Sequence, residues 1–123
     1  MTLPNSALLS SGTFYLTKLE TGFAVGCGGW SWERPGKGDI ESGLGHIRHF
    51  ATHPNWVGRG IGRSIYNMCV REARSSGVSA FECYSSLNAE AFYAALGFQV
   101  MQRVNVEMGP NVLFPTILMR QTI

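Results

Sequence analysis

The residues of this sequence best suited to bind a ligand form a glycine-rich segment near the middle of the chain. The segment Gly58 to Arg63 reads Gly-Arg-Gly-Ile-Gly-Arg. Glycine permits a sharp turn and has no Cβ to keep a ligand away from the backbone N–H groups. A helix is predicted to start here, so its unpaired N–H donors and the positive end of its dipole would face the same place. The segment predicts a phosphate or pyrophosphate site, to which Arg59 and Arg63 add positive charge.

Two common phosphate-binding loops do not fit this segment. A Walker loop ends in a lysine and a hydroxyl residue, whereas the only lysines here are Lys18 and Lys37, both distant in sequence. The dinucleotide fingerprint GxGxxG fails because the third glycine comes one residue early, and only Glu82 is available as a ribose-binding acid. A tight glycine turn that binds nothing is the alternative.

The elements around this turn are predicted to place it between a strand and a helix. A compact strand is predicted over His46–Thr52 and ends before Pro54, which cannot continue a central ladder. The helix that follows has apolar residues at helical spacing up to Ser76, and Gly77 is placed to end it. The apolar run Val78–Tyr84 predicts a buried strand, so the whole unit is a strand-helix-strand crossover with parallel strands.

The rest of the chain predicts hairpins at both ends of the sheet. Residues 13–32 read as two strands, and glycines in the second strand suggest a bulge or a close approach by another element. The glycine-rich stretch Glu33–Gly45 predicts a mobile loop. Further strands are predicted over Gln99–Glu107 and Val112–Arg120.

A short second helix is predicted before the last two strands. Ser86 or Asn88 can cap it, and Ala89, Phe92, Tyr93 and Leu96 share one of its faces. Gly97 and the hydrophobic residue after it are placed to end it. The order of elements predicts an α/β fold of the α+β type, with a mixed, mostly antiparallel sheet and one parallel crossover.

Length and composition limit the classes of protein. The chain has 123 residues, of which 45% are apolar, and this predicts a single domain over residues 1–123. The net charge of +2 argues against non-specific nucleic-acid binding, and no stretch approaches the roughly 20 apolar residues of a membrane span. The three cysteines lack metal-ligand spacing and read as buried thiols in a reducing compartment. We therefore expect a cytoplasmic protein without a metal site.

Two segments together resemble the GNAT superfamily of acyl-CoA-dependent N-acyltransferases. His53-Pro54 followed by Val57 to Arg63 is similar to the family's [QR]xxGx[GA] acetyl-CoA motif, with Val57 in place of its Arg or Gln. Ala89 and the segment Phe92 to Phe98 are similar to the family's A-x-x-[LF]-Y-x-x-x-G-F helix. The resemblance begins near Gly12, so we expect a short N-terminus without the family's first strand and two helices.

The resemblance implies that acetyl-CoA lies between the two parallel strands, where their ends splay apart. Its pantetheine arm would pair with the main chain of Phe50 and Thr52, and its pyrophosphate would bind the glycine segment. The implied cofactor-binding residues are Phe50, Thr52, Val57, Gly58, Arg59, Gly60, Ile61, Gly62 and Arg63.

The resemblance also implies the catalytic groups. Tyr93 matches the tyrosine that protonates the departing thiolate, although it could instead pack on its helix face. His46 matches the position of a base, for which the ordinary imidazole pKa is suited. Glu82 is a second candidate base if its side chain faces the cleft, whereas strand alternation puts His49 on the face opposite His46. Trp30 and Trp32 either contact the acceptor or, as is more common, pack.

These features predict an acyltransferase that moves an acetyl group from acetyl-CoA to a primary amine of unknown identity by direct attack in a ternary complex. A non-catalytic acyl-CoA-binding or regulatory module is the alternative, favoured by Val57 and the short N-terminus. A third hypothesis is an assembly protein, since a missing first strand would leave a sheet edge for a second copy to cover and so form a homodimer.

Overall fold

A computed structural model describes residues 2–5 and 13–123 of the chain. In this part of the chain seven strands form one sheet in the order β1-β2-β3-β4-β5-β7-β6, and every neighbouring pair is antiparallel except β4 and β5. The strands are β1 Thr2–Asn5, β2 Thr13–Lys18, β3 Ala24–Ser31, β4 Leu44–Thr52, β5 Ala80–Ser85, β6 Gln99–Gly109 and β7 Val112–Thr122. The helices are α1 Ile61–Ser75 and α2 Glu90–Leu96, each preceded by a 3₁₀ turn, Pro54–Trp56 and Leu87–Ala89. The predicted fold class is confirmed.

Helix α1 forms because its apolar residues recur at helical spacing and cover the sheet. Ile65, Cys69 and Ala73 are completely buried on this face. The last turn is closed by the Ser76 N–H, which donates to the carbonyls of the preceding turn, and Gly77 follows with φ +94°. Burial of a side chain such as Ile65 contributes about 1.5–3 kcal/mol, which fixes α1 against the sheet and positions the glycine segment at its start.

The glycines of β3 allow the close approach that the sequence suggested. A Cβ at Gly26 would lie 2.5 Å from Cγ2 of Ile61, at the start of α1, and a Cβ at Gly28 would lie 2.7 Å from the Phe50 ring. The predicted bulge is also present between β3 and β4: the register passes from Cys27↔Ala51 to Gly29↔Arg48, which leaves an extra residue in β4.

Helix α2 ends as predicted but begins differently. Gly97 has φ +108° and its N–H donates to the Ala94 carbonyl, while the Phe98 N–H donates to the Tyr93 carbonyl at 3.0 Å. This is a Schellman ending. The predicted side-chain cap is wrong, because neither Ser86 nor Asn88 caps the helix. A 3₁₀ turn precedes α2 instead, in which the Ala89 N–H donates to the Ser86 carbonyl.

The sheet has one more strand than the sequence predicted. β1 pairs antiparallel with β2, with Thr2 opposite Thr17 and Asn5 opposite Phe14. The edge of β2 that we expected to be open for a second copy is therefore covered from within the chain.

The β6–β7 hairpin extends beyond the rest of the sheet. β5 pairs only with Ile117–Thr122 of β7, whereas β6 pairs with β7 along nearly its whole length. We call the outer part, residues 102–109 and 112–116, the β-ribbon. Its large exposed apolar side chains are Val106, Val112, Leu113 and Phe114.

Candidate active site

The parallel pair of strands opens at one end. The β4–β5 ladder runs from Leu44↔Ala80 to His46↔Glu82 and stops there, although both strands continue. A cleft of about 590 Å³ lies beyond this point. Its walls are the end of β4, the glycine segment with the first turn of α1, and the exposed side of α2, and they comprise Phe50, Ala51, Thr52, Trp56, Val57, Gly58, Gly60, Ile61, Gly62, Arg63, Asn88, Ala89, Phe92, Tyr93, Ala95 and Leu96.

The glycine segment presents bare backbone donors to this cleft. Gly58 and Gly60 have φ +83° and +77°, in the left-handed region, and a Cβ on either would meet nothing within 4 Å. In the described part of the chain, no N–H from Val57 to Arg63 donates to a backbone carbonyl, and no side chain caps α1. An anion held there gains roughly 0.3–1 kcal/mol from the helix dipole, and up to about 2 when partly buried.

The cleft brings together all but one of the residues expected to bind the cofactor. Arg59 is the exception: its guanidinium carbon lies 4.6 Å from the ring centroid of Trp56, which itself lines the cleft. Arg63 lines the cleft and donates to the Ala95 carbonyl at 2.8 Å, so it also ties α1 to α2. Trp56 was not among the predicted site residues; the available signal was its place two residues before Gly58.

Tyr93 packs on its helix face and also lines the cleft. Its ring is buried between Phe92 and Phe98, with centroid distances of 5.2 and 5.7 Å, and it also lines the cleft. Burial raises the pKa of Tyr93, and nearby Cys83 acts in the same direction. The phenol therefore keeps its proton near neutral pH, as an acid must before it donates.

His46 lies in a second, smaller cavity between β4 and β5. This cavity has about 220 Å³ and is lined by Pro35, His46, Ile47, Arg48, His49, Glu82, Cys83 and Tyr84. His46 is only 2% exposed, and its Nδ1 has no hydrogen-bond partner among the described residues. Burial lowers the pKa of His46, although the nearby Glu82 opposes this. The imidazole is therefore neutral at physiological pH.

The structure settles which way Glu82 faces. It lies beside His46 in the same cavity and is 8% exposed, and its Oε2 is 3.3 Å from Nη1 of Arg120. Successive residues of β4 line the two cavities: His46 to His49 line the smaller one, and Phe50 to Thr52 line the larger one.

His49 is exposed, as a surface histidine is, but strand alternation does not hold at its position. It lines the same cavity as His46, because the bulge places an extra residue in β4 and interrupts the alternation of side chains. His49 has φ +61°, in the left-handed region. The tryptophans pack, which was the more common of the two alternatives. Trp30 is buried, and its ring packs edge to face on that of Trp32, with 5.5 Å between the ring centroids.

The three cysteines are free thiols. Burial raises the pKa of Cys69 and of Cys83 to about 12 and also raises the pKa of Cys27. These groups are therefore protonated and poor nucleophiles. Neither helix in the described segments has the length and apolar character needed to cross a membrane.

The fold is that of an α/β protein with one mixed sheet, whose two parallel strands part beside the N-terminus of a helix and leave a cleft there. Residues 3–98 match the Acetyltransferase (GNAT) family. The chain belongs to this family.

Solved structures share the fold at low sequence identity. A GCN5-related N-acetyltransferase from Rhodopseudomonas palustris has a TM-score of 0.72 and 21% identity, over 91% of this chain and 62% of its own. Ribosomal-protein-alanine N-acetyltransferase from Brucella melitensis has a TM-score of 0.72 and 19% identity, over 91% of this chain and 69% of its own. Aminoglycoside 6'-N-acetyltransferase, solved in complex with coenzyme A, has a TM-score of 0.74 and 13% identity, over 94% of this chain and 74% of its own. The chain thus spans less than two thirds of the first relative, and no curated protein matches it.

Proposed function

We propose that this protein transfers an acetyl group from acetyl-CoA to a primary amine by direct attack in a ternary complex. The observation that carries the proposal is the cleft, which joins bare helix N–H donors, an unpaired stretch of β4 and a buried tyrosine. Family membership supports a CoA-linked donor, and one neighbour was solved with coenzyme A. The choice of acetyl-CoA as the donor is part of the proposal.

The cleft suits the shape and charge of this donor. The pyrophosphate would accept hydrogen bonds from the N–H groups of the glycine segment, near Arg63. The pantetheine arm would run along Phe50 to Thr52, where β4 has no partner strand on the β5 side. Its amides would then replace the missing ladder bonds. The thioester would come to lie near the point where β4 and β5 part.

The reaction needs one proton acceptor and one proton donor. The amine nitrogen attacks the thioester carbonyl carbon, the C–S bond breaks, and the Tyr93 O–H gives its proton to the departing sulfur. The proton lost by the amine goes to neutral His46 or to Glu82, directly or through water. Both groups lie where the ladder ends, which supports their assignment to the acceptor side.

The proposal is tested by calorimetric titration with acetyl-CoA, followed by an amine panel with detection of the free thiol. We expect binding and turnover, and Tyr93→Phe should lower kcat by about 10²–10⁴ with little change in acetyl-CoA affinity. Binding without turnover of any amine would support the alternative, a non-catalytic acyl-CoA-binding module. Absence of binding would exclude both functions.

A further inference from the structure

We infer that the acceptor is a small amine that also carries a carboxylate, an amino acid in its simplest form, and that Arg48 selects it. The inference rests on the proposed function and concerns the smaller cavity, which holds His46 and Glu82. It excludes polycationic acceptors, such as polyamines and aminoglycosides.

The first argument is size. The smaller cavity has about 220 Å³, enough for on the order of seven water molecules at roughly 30 Å³ each. A compact molecule of amino-acid size fits within this volume, whereas an aminoglycoside with several rings would extend beyond it. Pro35, from the loop between β3 and β4, forms part of the cavity wall.

The second argument is charge. Both acidic groups that act on His46 already have arginine partners: Glu82 pairs with Arg120, and Asp39 pairs with Arg34, each at 3.3 Å. Arg48 lines the cavity, and its Nη1 donates to Ser31 Oγ at 3.2 Å. No acidic side chain in the described part of the chain pairs with it.

Arg48 and Glu82 are the arginine and the acid that line the cavity, and because Glu82 already pairs with Arg120, Arg48 is the charged lining residue without an ion-pair partner among the described residues. Arg48 is half-buried, where a charge without a partner is more costly than on the surface. Arginine binds carboxylates in a two-pronged geometry, so a bound carboxylate would satisfy it. A second positive charge on the acceptor would instead be repelled.

The third argument is the placement of the two groups along β4. His46 lies opposite Ser31 and Arg48 lies opposite Gly29, so the strand is regular between them and both side chains share one face. Two residues of a strand span about 6.6 Å. The His46 imidazole lines the cavity and can lie beside the amine while the flexible Arg48 side chain reaches the carboxylate of the same molecule.

The experiment compares matched acceptors at equal concentrations of free amine. Leucine, leucinamide and isoamylamine differ in the carboxylate, and spermidine and kanamycin represent polycations. We expect kcat/KM for leucine to exceed that for leucinamide and isoamylamine at least tenfold, and the polycations to be the poorest acceptors. Equal values for leucine and leucinamide, or a preference for a polycation, would overturn the inference and leave the proposed function intact.

Variants of Arg48 test its role apart from any effect on folding. Arg48→Gln should lower the leucine-to-leucinamide ratio of kcat/KM at least tenfold through KM for leucine, and Arg48→Lys should restore part of it. The matched control is Arg71→Gln, which alters an exposed arginine on α1 and should leave the ratio unchanged. An unchanged ratio in Arg48→Gln would assign selection to another group. If acetyl-CoA does not bind the wild-type protein, the proposed function fails and the inference fails with it.

Discussion

At the scale of single residues, burial shifts the pKa of both groups proposed for catalysis toward their neutral forms. Tyr93 and His46 are both buried, and burial favours the neutral form of each. For Tyr93 this means an acid that keeps its proton, and for His46 a base that is free to accept one.

Burial of His46 also makes the stability of the protein depend on pH. Because the pKa of His46 is lower in the folded chain than the 6.5 of the unfolded chain, the unfolded state binds more protons between the two values. The free energy of unfolding should therefore fall as the pH falls below 6.5, until the folded pKa is reached. His46→Gln should remove this component, as measured by urea unfolding at pH 5, 6, 7 and 8.

The control for His46 is His49→Gln, which changes the exposed histidine of the same cavity. The difference in free energy of unfolding between wild type and His46→Gln should be constant above pH 7. At acidic pH the wild type should lose stability relative to the variant. A difference that does not change between pH 5 and pH 8 would show that His46 is not held neutral by the fold.

At the scale of elements, one side chain of β7 joins the two helices. The Tyr66 hydroxyl of α1 donates to Gln121 Oε1, and Gln121 Nε2 donates to the Leu96 carbonyl of α2 at 2.9 Å. Gly97 leaves the room for this contact, since a Cβ there would collide with Gln121. The link fixes the last turn of α2, and with it Tyr93.

Gln121→Leu should lower the free energy of unfolding by about 1–3 kcal/mol, because it leaves a buried hydroxyl and a carbonyl without partners. Adding Tyr66→Phe should cost less than the sum of the two single changes, since the hydroxyl that Gln121 satisfied is then absent. Urea unfolding measures both effects. Gln99→Leu, at an exposed site on β6, is the control, and an equal loss in that variant would contradict a specific link.

At the scale of the whole molecule, the side chains of the sheet are buried in its middle and exposed in the β-ribbon. Ile117 and Met119 of β7 are completely buried under the helices, whereas the β-ribbon exposes apolar side chains. Local opening requires little free energy where few buried contacts must break. The homodimer stays a prediction. The edge of β2 on which we based it is covered by β1, and the exposed side chains of the β-ribbon lie at a different place in the sheet.

Hydrogen exchange should divide β7 into two halves. We expect amides at Ile117–Gln121 to exchange at least a hundredfold more slowly than those in the β-ribbon, measured by NMR or mass spectrometry on dilute protein. The inner half of the same strand serves as the control. Uniform protection of both halves that persists on dilution would contradict an uncovered β-ribbon.

The local pattern of the sequence determined the crossover, the glycine segment and the end of α2. Each of these depends on neighbouring residues: apolar residues at helical spacing, glycines free to adopt positive φ, and Gly97 followed by a hydrophobic residue. Eight of the nine residues that the family resemblance assigned to the cofactor line the larger cleft, with Arg59 as the exception, whereas Trp56 was not selected.

Only the tertiary structure decided what surrounds His46. The bulge that brings His49 into the smaller cavity is a property of the β3–β4 register. The carboxylate of Glu82 pairs with Arg120, which is 38 residues away in the chain. Arg48 stands out only because the acids near it have other partners. Such arrangements depend on which distant segments meet and in what register, and no pattern within a single segment contains that information.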